Sequence, residues 1–262
     1  YNCLLGANRG GSDIFRFGIS RSGILNFFTM TNTNYNQSIS GSGVINIDTG
    51  VWNHIALVFT GTSYNAYVNG VLDFSVASET AVPDGVFRGL TIGKVLYNTS
   101  WTLTDAYIDE FRISSIARYT GASFVVPSSA FTKDNNTVVL NHFNFNDSTL
   151  DLNSTEEAVL VKSFPSGLDM YGSSSLTYSN SVYKFGGSSL DMQAGGLNLS
   201  LNDLPITDGP WTIECWHYPL SWYNTNRGIF KYVTQDQFSL GLSITLPVNN
   251  DQNGTTNLSI AG

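Results

Sequence analysis

Residues 54–76 read HIALVFTGTSYNAYVNGVLDFSV, and this stretch decides the fold class. It contains three apolar segments with the alternation of β-strands, at 54–60, 64–68 and 71–76. Polar residues separate the first two segments, and Asn69-Gly70 separates the last two. Asn-Gly is a strong hairpin signal, because both residues accept the positive φ angles that a two-residue turn needs. The stretch therefore predicts three consecutive antiparallel strands.

Similar short segments continue on both sides, with turn residues between them. The further predicted strands are 14–19, 24–28, 44–47, 90–93, 106–113, 137–143, 188–192, 197–201, 211–218, 228–233 and 238–246. One helical turn near 115–119 is the only helix-like candidate. Many short strands with turns between them predict an all-β fold, an antiparallel jelly-roll β-sandwich.

The composition supports this prediction and excludes several classes. Only 12% of the 262 residues are charged, and the net charge is -8. The low charge disfavours helix bundles, the 13% aromatic content argues against disorder, and the negative charge argues against nucleic-acid binding. No run of 18 apolar residues occurs, so we expect no membrane span.

The beginning of the sequence and its two cysteines give two smaller expectations. The chain begins at Tyr1 with neither an initiator Met nor a signal peptide, which favours a piece of a longer or processed protein. Cys3 and Cys215 each lie in a hydrophobic run, so we interpret them as buried free thiols, with a disulfide as the alternative.

An ordered series of motifs resembles a known family. The series comprises Val51-Trp52-Asn53-His54-Ile55-Ala56-Leu57-Val58, Tyr107-Ile108-Asp109-Glu110-Phe111-Arg112-Ile113-Ser114, Lys184-Phe185-Gly186-Gly187 and Trp211-Thr212-Ile213-Glu214-Cys215-Trp216. It resembles the laminin-G-like, concanavalin A-like lectin/glucanase jelly rolls, of the tandem kind found in phage structural and bacterial surface proteins.

This resemblance and the change in composition after residue 122 predict the domain organisation. We expect 1–122 to be the rear part of one laminin-G-like sandwich, 123–136 a linker, and 137–262 the front part of the next. Matching Leu5 to Phe230 and Phe15 to Phe238 gives repeat offsets of 225 and 223 residues. The alternative is a single permuted sandwich that the residues after 136 complete.

Catalytic chemistry is not expected. Glucanases of this family place two carboxylates on one face of a strand, which requires an even spacing. Asp109 and Glu110 are adjacent, so on a regular strand they point to opposite faces, and Glu214 has no acidic residue two or four positions away. The three histidines, His54, His142 and His217, lie on hydrophobic strands without metal-ligand spacing, and we interpret them as structural.

Two kinds of binding site are predicted instead. Aromatic and amide side chains in polar loops suit a glycan, and the candidates are Asn98, Trp101, Trp222, Tyr223 and Asn224. Trp52, Trp211 and Trp216 are assigned to the core. The resemblance further implies a Ca²⁺ ion at a sandwich edge, with Asp109, Asn144 and Asp147 as its ligands.

Together these observations predict a non-enzymatic structural and adhesion module of a virion, a phage tail fibre or a capsid decoration, with glycan binding as an added role. Its expected partners are neighbouring repeats, virion subunits and a cell-surface glycan, at the virion or the extracellular surface. The alternative is a carbohydrate-binding module of a secreted bacterial enzyme or adhesin. A glucanase is the third interpretation.

Overall fold

The fold is all-β in the computed structural model. The model describes residues 8–9, 12–13, 15–20, 22–31, 37–82, 87–92, 106–144, 158–163, 168–173, 177–192, 197–200, 209–221 and 227–234. None of these residues forms a helix long and apolar enough to cross a membrane. The helical turn expected at 115–119 does not form, and these residues follow an irregular path.

The described residues contain eighteen strands, numbered in chain order. They are β1 (Asn8–Arg9), β2 (Ser12–Asp13), β3 (Phe15–Ile19), β4 (Ile24–Met30), β5 (Ser38–Asn46), β6 (Asn53–Phe59), β7 (Ser63–Val68), β8 (Val71–Ala77), β9 (Phe87–Ile92), β10 (Ala106–Ser114), β11 (Thr137–Asn141), β12 (Ala158–Ser163), β13 (Leu168–Ser173), β14 (Thr177–Ser179), β15 (Ser189–Asp191), β16 (Leu197–Ser200), β17 (Trp211–Pro219) and β18 (Arg227–Thr234).

Sixteen of these strands form two eight-stranded antiparallel sheets. Sheet 1 has the order β14-β15-β10-β17-β6-β7-β8, and β11 pairs with the second half of β10 on the β15 side. Sheet 2 has the order β12-β13-β16-β9-β18-β3-β4-β5. Strands β1 and β2 form a separate two-stranded ribbon. The fold class predicted from alternation is confirmed.

Both sheets combine strands from the two ends of the chain. In sheet 1, β17 lies between β10 and β6, and in sheet 2, β18 lies between β9 and β3. Neither sheet is therefore built from one continuous part of the chain.

A single apolar core fills the space between the sheets. Phe15, Phe17 and Phe27 from sheet 2 meet Tyr64 and Trp211 from sheet 1, and all five are buried. The rings of Phe27 and Tyr64 lie 4.6 Å apart, and those of Phe15 and Trp211 lie 6.1 Å apart. These contacts join the two sheets as one sandwich.

The outer face of sheet 1 is covered by residues 115–136, which we call the covering segment. Tyr119 and Phe124 stack with ring centroids 3.6 Å apart, and both pack against a small cluster around Ala56, Val58 and Tyr67. The amide of Phe124 donates to the carbonyl of Gly70 at 2.8 Å. The covering segment therefore adds a third layer, outside the sheet.

One open side of the sandwich is closed by β5 and β8, the last strands of the two sheets. The Oδ1 atom of Asp73 on β8 accepts hydrogen bonds from the backbone amides of Val44 (2.7 Å) and Ile45 (2.8 Å) on β5. Gly43 makes this approach possible, because a Cβ atom at its position would overlap the Asp73 carboxylate.

We expect Gly43→Ala to destabilise the fold by about 1–3 kcal/mol, because the added methyl group displaces Asp73 from both amides. Urea unfolding followed by tryptophan fluorescence measures the change. The control is Gly121→Ala, where the nearest atom to the new Cβ lies 3.5 Å away. Equal losses of unfolding free energy in the two variants would show that the contact between β5 and β8 adds nothing to stability.

Candidate functional site

A β-bulge in β10 interrupts the period-2 alternation of side chains. The expectation that Asp109 and Glu110 point to opposite faces depends on that alternation. Asp109 pairs with Trp216 and Arg112 with Glu214, so β10 has two residues between these pairs where β17 has one. Glu110 has a φ of 54°. The residues on either side of the Asp109-Glu110 pair, Ile108 and Phe111, both enter the main core. The expectation that Asp109 and Glu110 point to opposite faces is therefore wrong, because the bulge leaves both on the outer face.

Asp109 is buried and satisfied by backbone amides. Its Oδ2 accepts from the amides of Lys184 (2.8 Å) and Phe185 (3.0 Å), and its Oδ1 accepts from the amide of Glu110 (2.9 Å). Burial, opposed by the three backbone amides and assisted by the charge of Glu110, raises the pKa of Asp109 to about 7. The side chain fixes the 184–185 turn against β10.

Glu110 is also buried and binds the covering segment. Its carboxylate accepts the backbone amide of Phe131 at 2.7 Å and meets Nδ1 of His142 at 2.9 Å. Phe131 in turn lies under the guanidinium of Arg112, 4.3 Å from the ring centroid. The second carboxylate of the bulge therefore holds residues 131 and 142 in place.

Glu214 on β17 is the centre of a larger network. Its Oε1 accepts from Nε and Nη2 of Arg112 at 2.8 and 2.7 Å. Its Oε2 accepts the Tyr119 hydroxyl at 2.7 Å and lies 3.0 Å from Nε2 of His54. Burial raises the pKa of Glu214, but its bonds to His54, Arg112 and Tyr119 outweigh burial and hold the pKa below its usual value.

The covering segment adds an outer ion pair to this network. Arg118 binds both carboxylate oxygens of Asp134 at 2.8–2.9 Å, and its Nε donates to the Ser114 hydroxyl. These bonds hold the pKa of Asp134 well below its usual value. The carboxylates of Asp109, Glu110, Asp134 and Glu214 therefore all accept hydrogen bonds from other groups of the chain.

Comparison with known proteins agrees with this architecture. Residues 2–120 match a laminin-G family model described as the concanavalin A-like lectin/glucanases superfamily. This part of the chain is similar to that superfamily. The match ends inside the covering segment, before β11. No curated protein and no solved structure matches the chain.

The calcium set implied by the laminin-G-like resemblance is partly described. Asp109 already accepts three amides, and Asn144 lies against Gly186 with its Oδ1 buried and without a hydrogen-bond partner in the described part of the chain. No group of three metal-binding side chains occurs among the described residues. Asp147, the third member of the set, lies outside the described residues, so the calcium site stays a prediction.

The loop residues predicted to bind a glycan lie outside the described residues. These are Asn98, Trp101, Trp222, Tyr223 and Asn224. The loop site for a glycan therefore stays a prediction. Of the tryptophans assigned to the core, Trp211 and Trp216 are buried, whereas Trp52 is partly exposed.

The Glu214 network was missed by the sequence interpretation. Its signal lies in Trp211-Thr212-Ile213-Glu214-Cys215-Trp216, where an acidic residue occupies an outward position of a strand without other charges. An isolated acid at such a position needs a partner, because an unpaired buried charge is costly. Arg112 is the matching cation at the outward position directly opposite on β10.

Proposed function

We propose that the protein is a non-enzymatic structural and adhesion module of a virion, placed in a tail fibre or on the capsid. One observation carries the non-enzymatic part: Asp109, Glu110 and Glu214 are all buried and bonded within the protein. A glucanase needs two carboxylates that reach the same sugar bond from an open surface. These three carboxylates serve to attach loops to the sheet.

We also propose a domain organisation, a single sandwich to which both parts of the chain contribute. Strands from both sides of residues 123–136 alternate in each sheet, and β17 and β18 are central. This supports one laminin-G-like sandwich that residues 137–234 complete, rather than two separate parts. The covering segment is then part of the domain.

The assignment to a virion rests on two supports. The motif order is similar to the tandem modules of phage structural proteins, and only 12% of the residues are charged. A surface with few ions can pack against neighbouring subunits with little desolvation cost. Both observations support a place beside other subunits, and neither supports a catalysed reaction.

Localisation on purified particles tests this function. An antibody against the chain should label intact particles at a fixed position and should co-sediment with them. Particles purified after deletion of the gene are the control for specific labelling. A protein found only in the secreted fraction that hydrolyses β-glucan would overturn the proposal in favour of an enzyme.

A further inference from the structure

The first part of the chain leaves a gap in each sheet that a later strand fills. Without residues 137–234, no described strand lies between β10 and β6 in sheet 1, or between β9 and β3 in sheet 2. The strands that fill these two gaps are β17 and β18, which follow one another in the chain. They form one unit, which we call the inserted pair.

The inserted pair contacts the first part of the chain on both of its sides. β17 lies between β10 and β6, and β18 lies between β9 and β3. Trp211 and Cys215 of β17 enter the common core. Glu214 of β17 bonds to Arg112 and His54. Neither the core nor the buried network is therefore complete without the inserted pair.

The contacts of the buried network join residues that are far apart in the chain. Arg112 and Glu214 are separated by 102 residues, and His54 and Glu214 by 160. A second copy of the chain offers the same strands, so its inserted pair makes the same contacts in these gaps. Exchange between copies thus keeps the contacts of the sandwich, and it changes mainly the entropy of loop closure and of association.

The sequence after β18 points to such an exchange. Residues 15–20, which contain β3, read FRFGIS, and residues 238–243, which follow β18 in the chain, read FSLGLS. Phe, Gly and Ser recur at the same three positions. Because β3 is the strand that pairs with β18, the chain carries two segments with the pattern of a β18 neighbour. The sequence therefore does not restrict β18 to the β3 strand of its own copy.

We propose that the inserted pair of one copy fills the gaps of a second copy, so that copies join head to tail. Each copy donates its β17 and β18 and accepts those of a neighbour, a heterologous contact that builds a ring or a fibre. Close packing of copies favours the exchange, because a tethered segment competes at an effective concentration of about millimolar. The proposal rests on the single-sandwich organisation proposed above, and it does not depend on the virion role.

Two copies with one new cysteine each test the exchange. Tyr107 of β10 and Tyr218 of β17 are paired and partly exposed, and the Cα atoms of paired residues are close enough for a disulfide. In a Cys3→Ser background, where Cys215 is buried, one copy carries Tyr107→Cys and the other Tyr218→Cys. After joint refolding from urea and oxidation, we expect a covalent dimer on a non-reducing gel. Tenfold dilution before refolding should lower the dimer fraction about tenfold.

The matched control is a mixture of copies with Ser63→Cys and Ala77→Cys. These residues pair between β7 and β8, so exchange of the inserted pair leaves them in the same copy. An equally abundant dimer in this control would come from collisions and would overturn the proposal. The melting temperature of each variant shows whether it is folded. If a tyrosine variant does not fold, Arg16→Cys with Lys231→Cys, a pair between β3 and β18, reports the same exchange in sheet 2.

A double variant separates a failed exchange from a failed domain organisation. With Tyr107→Cys and Tyr218→Cys in one copy, oxidation in dilute solution should form a disulfide within the chain, because β17 lies beside β10. If that disulfide forms and the mixed copies give no dimer, the exchange is overturned and the single sandwich stands. If neither disulfide forms, the single sandwich is overturned and the exchange with it.

Discussion

Glu214→Gln should lower the free energy of unfolding by roughly 3–5 kcal/mol, because it removes the only full negative charge bonded to Arg112 and His54 among the described residues. The substitution keeps the size of the side chain, so no cavity contributes. Urea unfolding at pH 7 measures the loss. We also expect faster proteolysis of residues 115–136, since Tyr119 loses its carboxylate partner.

The control for this prediction is Asp134→Asn. It breaks the pair with Arg118, but the Asp134 side chain is 44% exposed, and exposed pairs contribute no more than about 1 kcal/mol. If Glu214→Gln lowered the free energy of unfolding by no more than Asp134→Asn does, the buried network would not be what holds the covering segment against sheet 1.

Asp109 should make the protein less stable as the pH rises from about 4 to 7. The unfolded carboxyl releases its proton near pH 3.8, whereas the folded one keeps it to about pH 7. The folded state binds more protons in this window, so the free energy of unfolding falls as the pH increases. The full effect is on the order of 4 kcal/mol.

The comparison with Asp109→Asn isolates this effect from other titrating groups. The variant does not titrate at this position and loses one amide contact, a cost that is independent of pH. Unfolding curves at several pH values should show the wild type losing stability relative to the variant between pH 4 and 7. Parallel profiles would mean that Asp109 is ionised in the folded protein throughout, held by its three backbone donors.

Local parts of this fold follow from the sequence. The β7–β8 hairpin was predicted from Asn69-Gly70, and both residues have positive φ, 49° and 79°. The predicted strand at 54–60 is confirmed as β6, because its unbroken apolar run is buried on both faces. Signals of this kind need only neighbouring residues.

Other parts depend on distant residues or on broken periodicity. The bulge at Glu110 adds one residue to β10, and a period-2 pattern does not reveal such an insertion. The pairing of Arg112 with Glu214 requires knowing that β17 lies beside β10, which no local pattern encodes. Strands β12 and β13 lie between 143 and 188, where no strand was predicted from the sequence.

The central position of β17 also has a consequence for how the protein is made. The partners His54 and Glu214 are 160 residues apart, which at ordinary rates of translation is a delay of about 10–30 s. For all of that time β6, and for the later part of it β10, lacks the strand that belongs between them, and such edges invite aggregation. A ribosome-bound chaperone that shields β6 and β10 until β17 emerges would therefore raise the yield of folded protein more than it would for a fold with local pairing.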